Sequence, residues 1–186
     1  MRCYTVLSSI LLTTAALAVA GCAKPPPAVT LRPTASIIDL MTGQIDPAAD
    51  YLWESVATIS GPEGTEEKQP RTDKDWAEVR RQALILVEAS NLLMMEGRKV
   101  GLPGQVLEDP TGPGVLTPAQ SDAALQSDRA TFVAYARVLQ DAALGSLQAI
   151  EARDAAALLE SGGNIDEACE LCHKKFWYPG AGAPAP

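Results

Sequence analysis

Between Phe132 and Ile150 the apolar side chains fall at Phe132, Ala136, Leu139, Ala143, Leu147 and Ile150, in steps of four and three. That spacing lays one continuous apolar stripe along one side of an α-helix. A helix with such a stripe must bury it against other elements, so the rest of the chain has to supply partners. It offers helices. Ala and Leu dominate, aromatics make up 5 % of the residues, and β-branched runs are scarce, a composition that favours helix.

Four helical segments are expected. The first runs from Ser36 to Ile59, with Ile37, Leu40, Met41, Ile45, Leu52, Val56 and Ile59 on its apolar side. Asp46-Pro47 inside it has the form of an N-cap followed by proline at the first helical position, so it is either one kinked helix or two short ones. The second runs from Lys74 to Glu96 and stops at Gly97; Trp76, Val79, Ala83, Val87 and Met94 sit at helical spacing. The third opens on Thr117-Pro118-Ala119-Gln120, which combines an N-cap, proline and a capping-box glutamine, and carries the stripe described above. Asp154 caps the fourth, which holds Leu158, Ile165, Cys169, Cys172 and Phe176 and is expected to kink at Gly162-Gly163. The few residues between the last two helices make them antiparallel neighbours. Residues 61–71 read as a polar loop. Residues 98–116 form a longer one, rich in Gly and Pro, of the kind that is functional or disordered.

The ends have a different character. Arg2 precedes an apolar or small stretch from Val6 to Ala20, too short for a comfortable membrane span of ~20 residues. It runs into Val19-Ala20-Gly21-Cys22, which resembles a bacterial lipoprotein signal rather than a plain small-x-small cleavage site. The resemblance implies cleavage before Cys22, lipidation of Cys22, and a periplasmic protein held at a membrane by that lipid, inner or outer. The expected organisation is a signal over 1–21, a Pro-rich tether over 22–35, a folded domain over 36–178, and a disordered tail over 179–186. The formal charge of −8 argues against a nucleic-acid partner and suits a partner protein with a basic docking face.

Two cysteines remain beyond the signal and the lipid site, and they lie in Cys169-Glu170-Leu171-Cys172-His173. C-x-x-C-H is the sequence requirement for covalent attachment of haem c. On a helix, Cys169, Cys172 and His173 fall at ~0°, ~300° and ~40°, inside one wedge of ~100°. Two thiols on that wedge can add to the two vinyl groups of one haem, while the imidazole reaches the iron. Phe176, near ~340°, lies on the same face and can pack against the porphyrin. A zinc site needs about four ligands, and the folded part offers two cysteines and the chain's single histidine. A thioredoxin-like pair belongs at the start of a helix after a strand; this pair lies deep in the last helix. With no second histidine, no hydrolytic triad is supported, and an enzyme is not expected.

In its C-x-x-C-H motif near the end of the last of four helices, the chain resembles the class II c-type cytochromes, the cytochrome c′ group. The resemblance is firmest over Phe132–Asp154 and Ala168–Phe176. It implies an all-α, four-helix bundle with one covalent haem c, and a redox partner protein to which single electrons pass. Members often form homodimers. The family draws its distal position from the first helix, and aligning that helix by its start places Met41 there. Thioether ligation raises the reduction potential and suits electron transfer. Met41 could instead fill the core; Met94 and Met95 on the second helix are alternative ligands, with core packing or partial exposure as their other reading. If Met41 does not ligate, an open distal site would bind a small gas such as nitric oxide or carbon monoxide. Three features depart from the family: Trp177, the Asp46-Pro47 break and the long loop over 98–116. Trp177 stands four residues after His173, where many relatives carry a basic residue. Lys174 and Lys175 beside it read as solvated surface, with haem propionates as the alternative contact. Trp53 and Trp76 read as core residues, with haem contact as the alternative.

Overall fold

The computed structural model describes residues 31–180. Cys22, the proposed signal and most of the tether lie outside the described residues, as does the tail from 181 on. The described part is mostly helical, with one small two-stranded sheet.

Helix α1 (Ile37–Leu40) opens on a complete capping box. The Ser36 Oγ accepts from the Asp39 N–H at 3.0 Å, and the Asp39 carboxylate accepts from the Ser36 N–H at 2.8 Å. The chain then passes without interruption through a π-helical turn, Met41–Ile45, into α2 (Asp46–Ser55). Asp46 is therefore not an N-cap. Its backbone is helical, and its N–H reaches back five residues to the Met41 carbonyl. Pro47 is tolerated because it stands in the first turn of α2.

The first helix ends at Ser55, not at Ile59. Val56 turns extended, and Ala57–Gly61 (β1) pairs antiparallel with Gly64–Lys68 (β2), Ile59 facing Glu66. Residues 61–68, expected as loop, thus form much of a hairpin. Ile59 points to solvent at 52 % exposure instead of joining an apolar helix face.

Helix α3 (Asp73–Leu93) starts on a Thr72/Asp75 capping box and buries Trp76, Val79, Ala83, Leu86 and Val87. It stops a turn before Gly97, whose positive φ of 76° completes the reversal. The expected third helix is two. Thr117 caps α4 (Pro118–Ser127), then Asp128 leaves helical geometry and its carboxylate caps α5 (Arg129–Ala152) by accepting from the Thr131 N–H. Arg153 in the left-handed region and Asp154 as N-cap make the tight link to α6 (Ala155–Phe176).

Helix α6 is continuous through Gly162-Gly163 rather than interrupted. Gly162 is needed for packing: a Cβ there would meet Trp53 Cδ1 at 3.0 Å, and the Trp53 indole N–H donates to the Gly162 carbonyl at 2.9 Å. The helices pack in a closed circuit, α2 on α3, α3 on α5, α5 on α6 and α6 on α2. Small residues let α5 and α6 approach, and Ser146 and Ser161 share a buried hydrogen bond at 2.8 Å between them. Leu40, Ile45, Leu52, Leu86, Leu158 and Ile165 form the most deeply buried part of the core. No helix among the described residues is long and apolar enough to cross a membrane.

Candidate functional site

The long segment after α3 is ordered by side chains rather than by regular structure. The buried Arg98 guanidinium donates to the Leu92 carbonyl at 2.8 Å, to the Ala35 carbonyl and to Met95 Sδ, tying the end of α3 to the start of α1. Lys99 and Val100 supply carbonyls to the first N–H groups of α1, at 2.9 and 3.0 Å. These are donors that a helix cannot satisfy itself. The Val100 N–H in turn donates to Asp122 of α4 at 3.1 Å. The segment is thereby stapled between α1 and α4, and its middle, Val106 to Glu108, becomes a wall.

Behind that wall is a cavity of about 110 Å³, open at one side, enclosed by α1, the π turn, α4, the start of α5 and the end of α6. Its lining is predominantly apolar. Met41, Cys172, His173 and Phe176 all line it. A second, smaller cavity adjoins it and shares Met41, Cys172 and His173, and there Cys169 joins the lining. The structure thus brings Cys169, Cys172, His173, Phe176 and Met41 to one contiguous space.

The π turn explains how two residues of the first helix reach it. Positions five apart on an α-helix diverge by ~140°. The wider turn narrows that angle, so Met41 and Asp46 both line the cavity. Asp46 is exposed at its outer side, yet the chain around its carboxylate, then Asp50 and Glu108, hold its pKa above the usual aspartate range.

The two thiols are free and half-buried. Burial pushes Cys169 up to about 12, with Asp46, Asp166 and Glu170 adding to the effect. Burial, then Cys169, pushes Cys172 up to about 12. These are neutral thiols at the negative end of a helix, the reverse of the thiolate that a redox-active C-x-x-C pair uses. Burial lowers the His173 pKa, opposed by Glu170, which leaves the neutral imidazole that metal ligation requires. The Trp177 ring stands edge-on to the His173 ring at 4.8 Å, and the Tyr178 hydroxyl donates to Glu170 at 2.5 Å. Phe176 packs edge-on against Phe132 at 5.5 Å and Tyr135 at 6.2 Å.

Other candidates stand elsewhere. Met94 packs against the core and Met95 accepts from Arg98; neither lines a cavity with His173. Trp53 bonds to Gly162 and Trp76 is buried in α3, both away from the cavity. Lys174 pairs with Glu170 at 3.0 Å and Lys175 with Asp128 at 2.9 Å, so both are solvated surface. Among the described residues, no three His, Cys, Asp or Glu side chains cluster as an all-protein metal site.

Of the lining residues, Ser121 has no mark in the sequence, and Trp177 is marked there only as a departure from the family pattern. Ser121 Oγ and Trp177 Nε1 are buried with no hydrogen-bond partner, and both line the larger cavity. No family model matches the chain, and neither a curated protein nor a solved structure matches it.

Proposed function

We propose that the protein is a monohaem c-type cytochrome that carries single electrons, in a four-helix bundle formed by α1–α2, α3, α5 and α6. The observation that carries this reading is the convergence of Cys169, Cys172 and His173 of a C-x-x-C-H motif on one apolar cavity, with Met41 in its lining. The fit is chemical. The thiols are protonated and unpaired, as addition to vinyl groups requires. The imidazole is neutral, and Phe176 and Phe132 supply an apolar wall. Cys169 and Cys172 would anchor the haem, His173 would bind its iron, and Met41 would be the second axial ligand.

The bound haem would supply the one-electron chemistry of its iron. The protein's part is to hold the imidazole in place through the Trp177 contact and to exclude water with the apolar wall. The thioether of Met41 favours the reduced state. The N-terminal signal and Cys22 support export and tethering to a membrane on the periplasmic side, where a redox partner with a basic face would dock on this acidic chain. The resemblance also raises a homodimer.

A second reading is binding of a small gas at the iron, and the cavity's apolar extension past Met41 toward Val100 and Val106 favours it. One optical experiment on protein matured with haem c machinery separates them. Low-spin absorption unchanged by carbon monoxide supports the carrier. High-spin absorption that shifts with carbon monoxide supports the gas reading. Absence of any haem absorption refutes both.

A further inference from the structure

A buried polar atom with no partner costs about as much as a lost hydrogen bond, so native structures rarely keep one without a reason. Among the described residues two side chains keep such an atom, Ser121 on α4 and Trp177 at the end of α6. Ser121 is only 3 % exposed. Both residues line the same cavity. The segment between them is joined, since the Leu116 N–H just before α4 donates to the Trp177 carbonyl at 2.9 Å.

The rest of the lining says what these atoms serve. The cavity's charged side chains are two acids, Asp46 and Glu108, and its lining holds no lysine or arginine. The Thr42 hydroxyl is already committed to the Ile38 carbonyl at 2.9 Å. Lys174 and Lys175 are held outside in surface ion pairs. Apart from His173 and the weakly donating Cys172 thiol, Ser121 Oγ–H and Trp177 Nε1–H are therefore the side-chain donors left for an acceptor inside. An indole N–H can only donate, so the occupant beside Trp177 must present an acceptor.

We propose that Ser121 and Trp177 donate hydrogen bonds to the carboxylate side chains of the bound porphyrin, in place of the cation that a carboxylate would ordinarily recruit. This inference rests on the haem reading. It places the carboxylates on the α4 and α6 side of the cavity, away from Asp46 and Glu108, where like charges would oppose them.

The test is the oxidised-minus-reduced infrared spectrum of the matured, full-length protein, with ¹³C placed in the haem carboxylates through a labelled porphyrin precursor. Ser121→Ala and Trp177→Phe are the variants. The second keeps a ring against His173 and removes the N–H. The expected result is that each variant shifts the label-sensitive carboxylate bands and that the double variant shifts them further. A surface control, Leu144→Ala, leaves them in place. Label-sensitive bands identical in wild type and both single variants, with full haem content, would overturn the proposal and leave water as the partner of both atoms. Wild-type protein without covalent haem would instead refute the underlying haem reading.

Discussion

Gly162 and Gly163 are neighbours in the middle of α6, and alanine at each should have opposite effects. In a helix interior alanine is favoured over glycine by ~1 kcal/mol. Around Gly163 a Cβ meets nothing within 4 Å, so Gly163→Ala should keep that whole gain. At Gly162 the same Cβ would stand 3.0 Å from Trp53 Cδ1, and the indole would have to move off its 2.9 Å bond to the Gly162 carbonyl. Losing that bond costs ~1 kcal/mol net, and displacing a well-packed ring costs ~1 kcal/mol or more. Gly162→Ala is therefore expected to destabilise by ~1 kcal/mol, about 2 kcal/mol below Gly163→Ala. Urea denaturation of the two variants and wild type, with unchanged slopes, gives the difference. For a protein of this size it corresponds to melting temperatures separated by roughly 6 °C. Equal stabilisation by both substitutions would refute the packing argument and return the pair to simple helix breakers.

Other consequences follow from single contacts. Ser36→Ala removes the N-cap of α1, whose Ser36 is 1 % exposed, and should cost ~1 kcal/mol in the same denaturation assay. Asp46→Asn should stabilise the protein at pH 7 but not at pH 3. The folded-state pKa of Asp46 is raised, so between its ordinary value of 3.8 and that higher value the folded state holds the proton more tightly. Stability is then lost as pH rises through the window. The effect is small because Asp46 is partly solvated, and an Asn variant whose gain is the same at pH 3 and pH 7 would contradict it. Met41→Leu in haem-loaded protein should convert low-spin absorption to high-spin and open the iron to carbon monoxide; a spectrum identical to wild type removes Met41 from the site.

Much of the helical fold was legible because it is written in local chemistry. Thr72, Thr117 and Asp154 mark helix starts by capping alone, and the stripe from Phe132 to Ile150 is buried except for the half-buried Leu147. The hairpin was missed because apolar Val56 and Ile59 continue the helical count, while Gly61-Pro62-Glu63-Gly64 is the turn signal that outweighs it. The break at Asp128 was signalled only by a serine and an aspartate inside an alanine-rich run. The π turn was marked only by Asp46-Pro47 just after it, which signals an irregularity in the first helix but not its form. The motif residues were found because attachment chemistry fixes their spacing. Ser121 was not, and Trp177 was seen only as the residue four after His173, because an unsatisfied donor is a property of surroundings and not of a residue.

The most direct measurement is the intact mass of the full chain after expression with haem c maturation machinery. The account requires a mass greater by one haem, with the added group on the tryptic fragment that holds Cys169 and Cys172, and its loss in the double alanine variant of those cysteines. Two unmodified thiols in properly matured wild-type protein would contradict it.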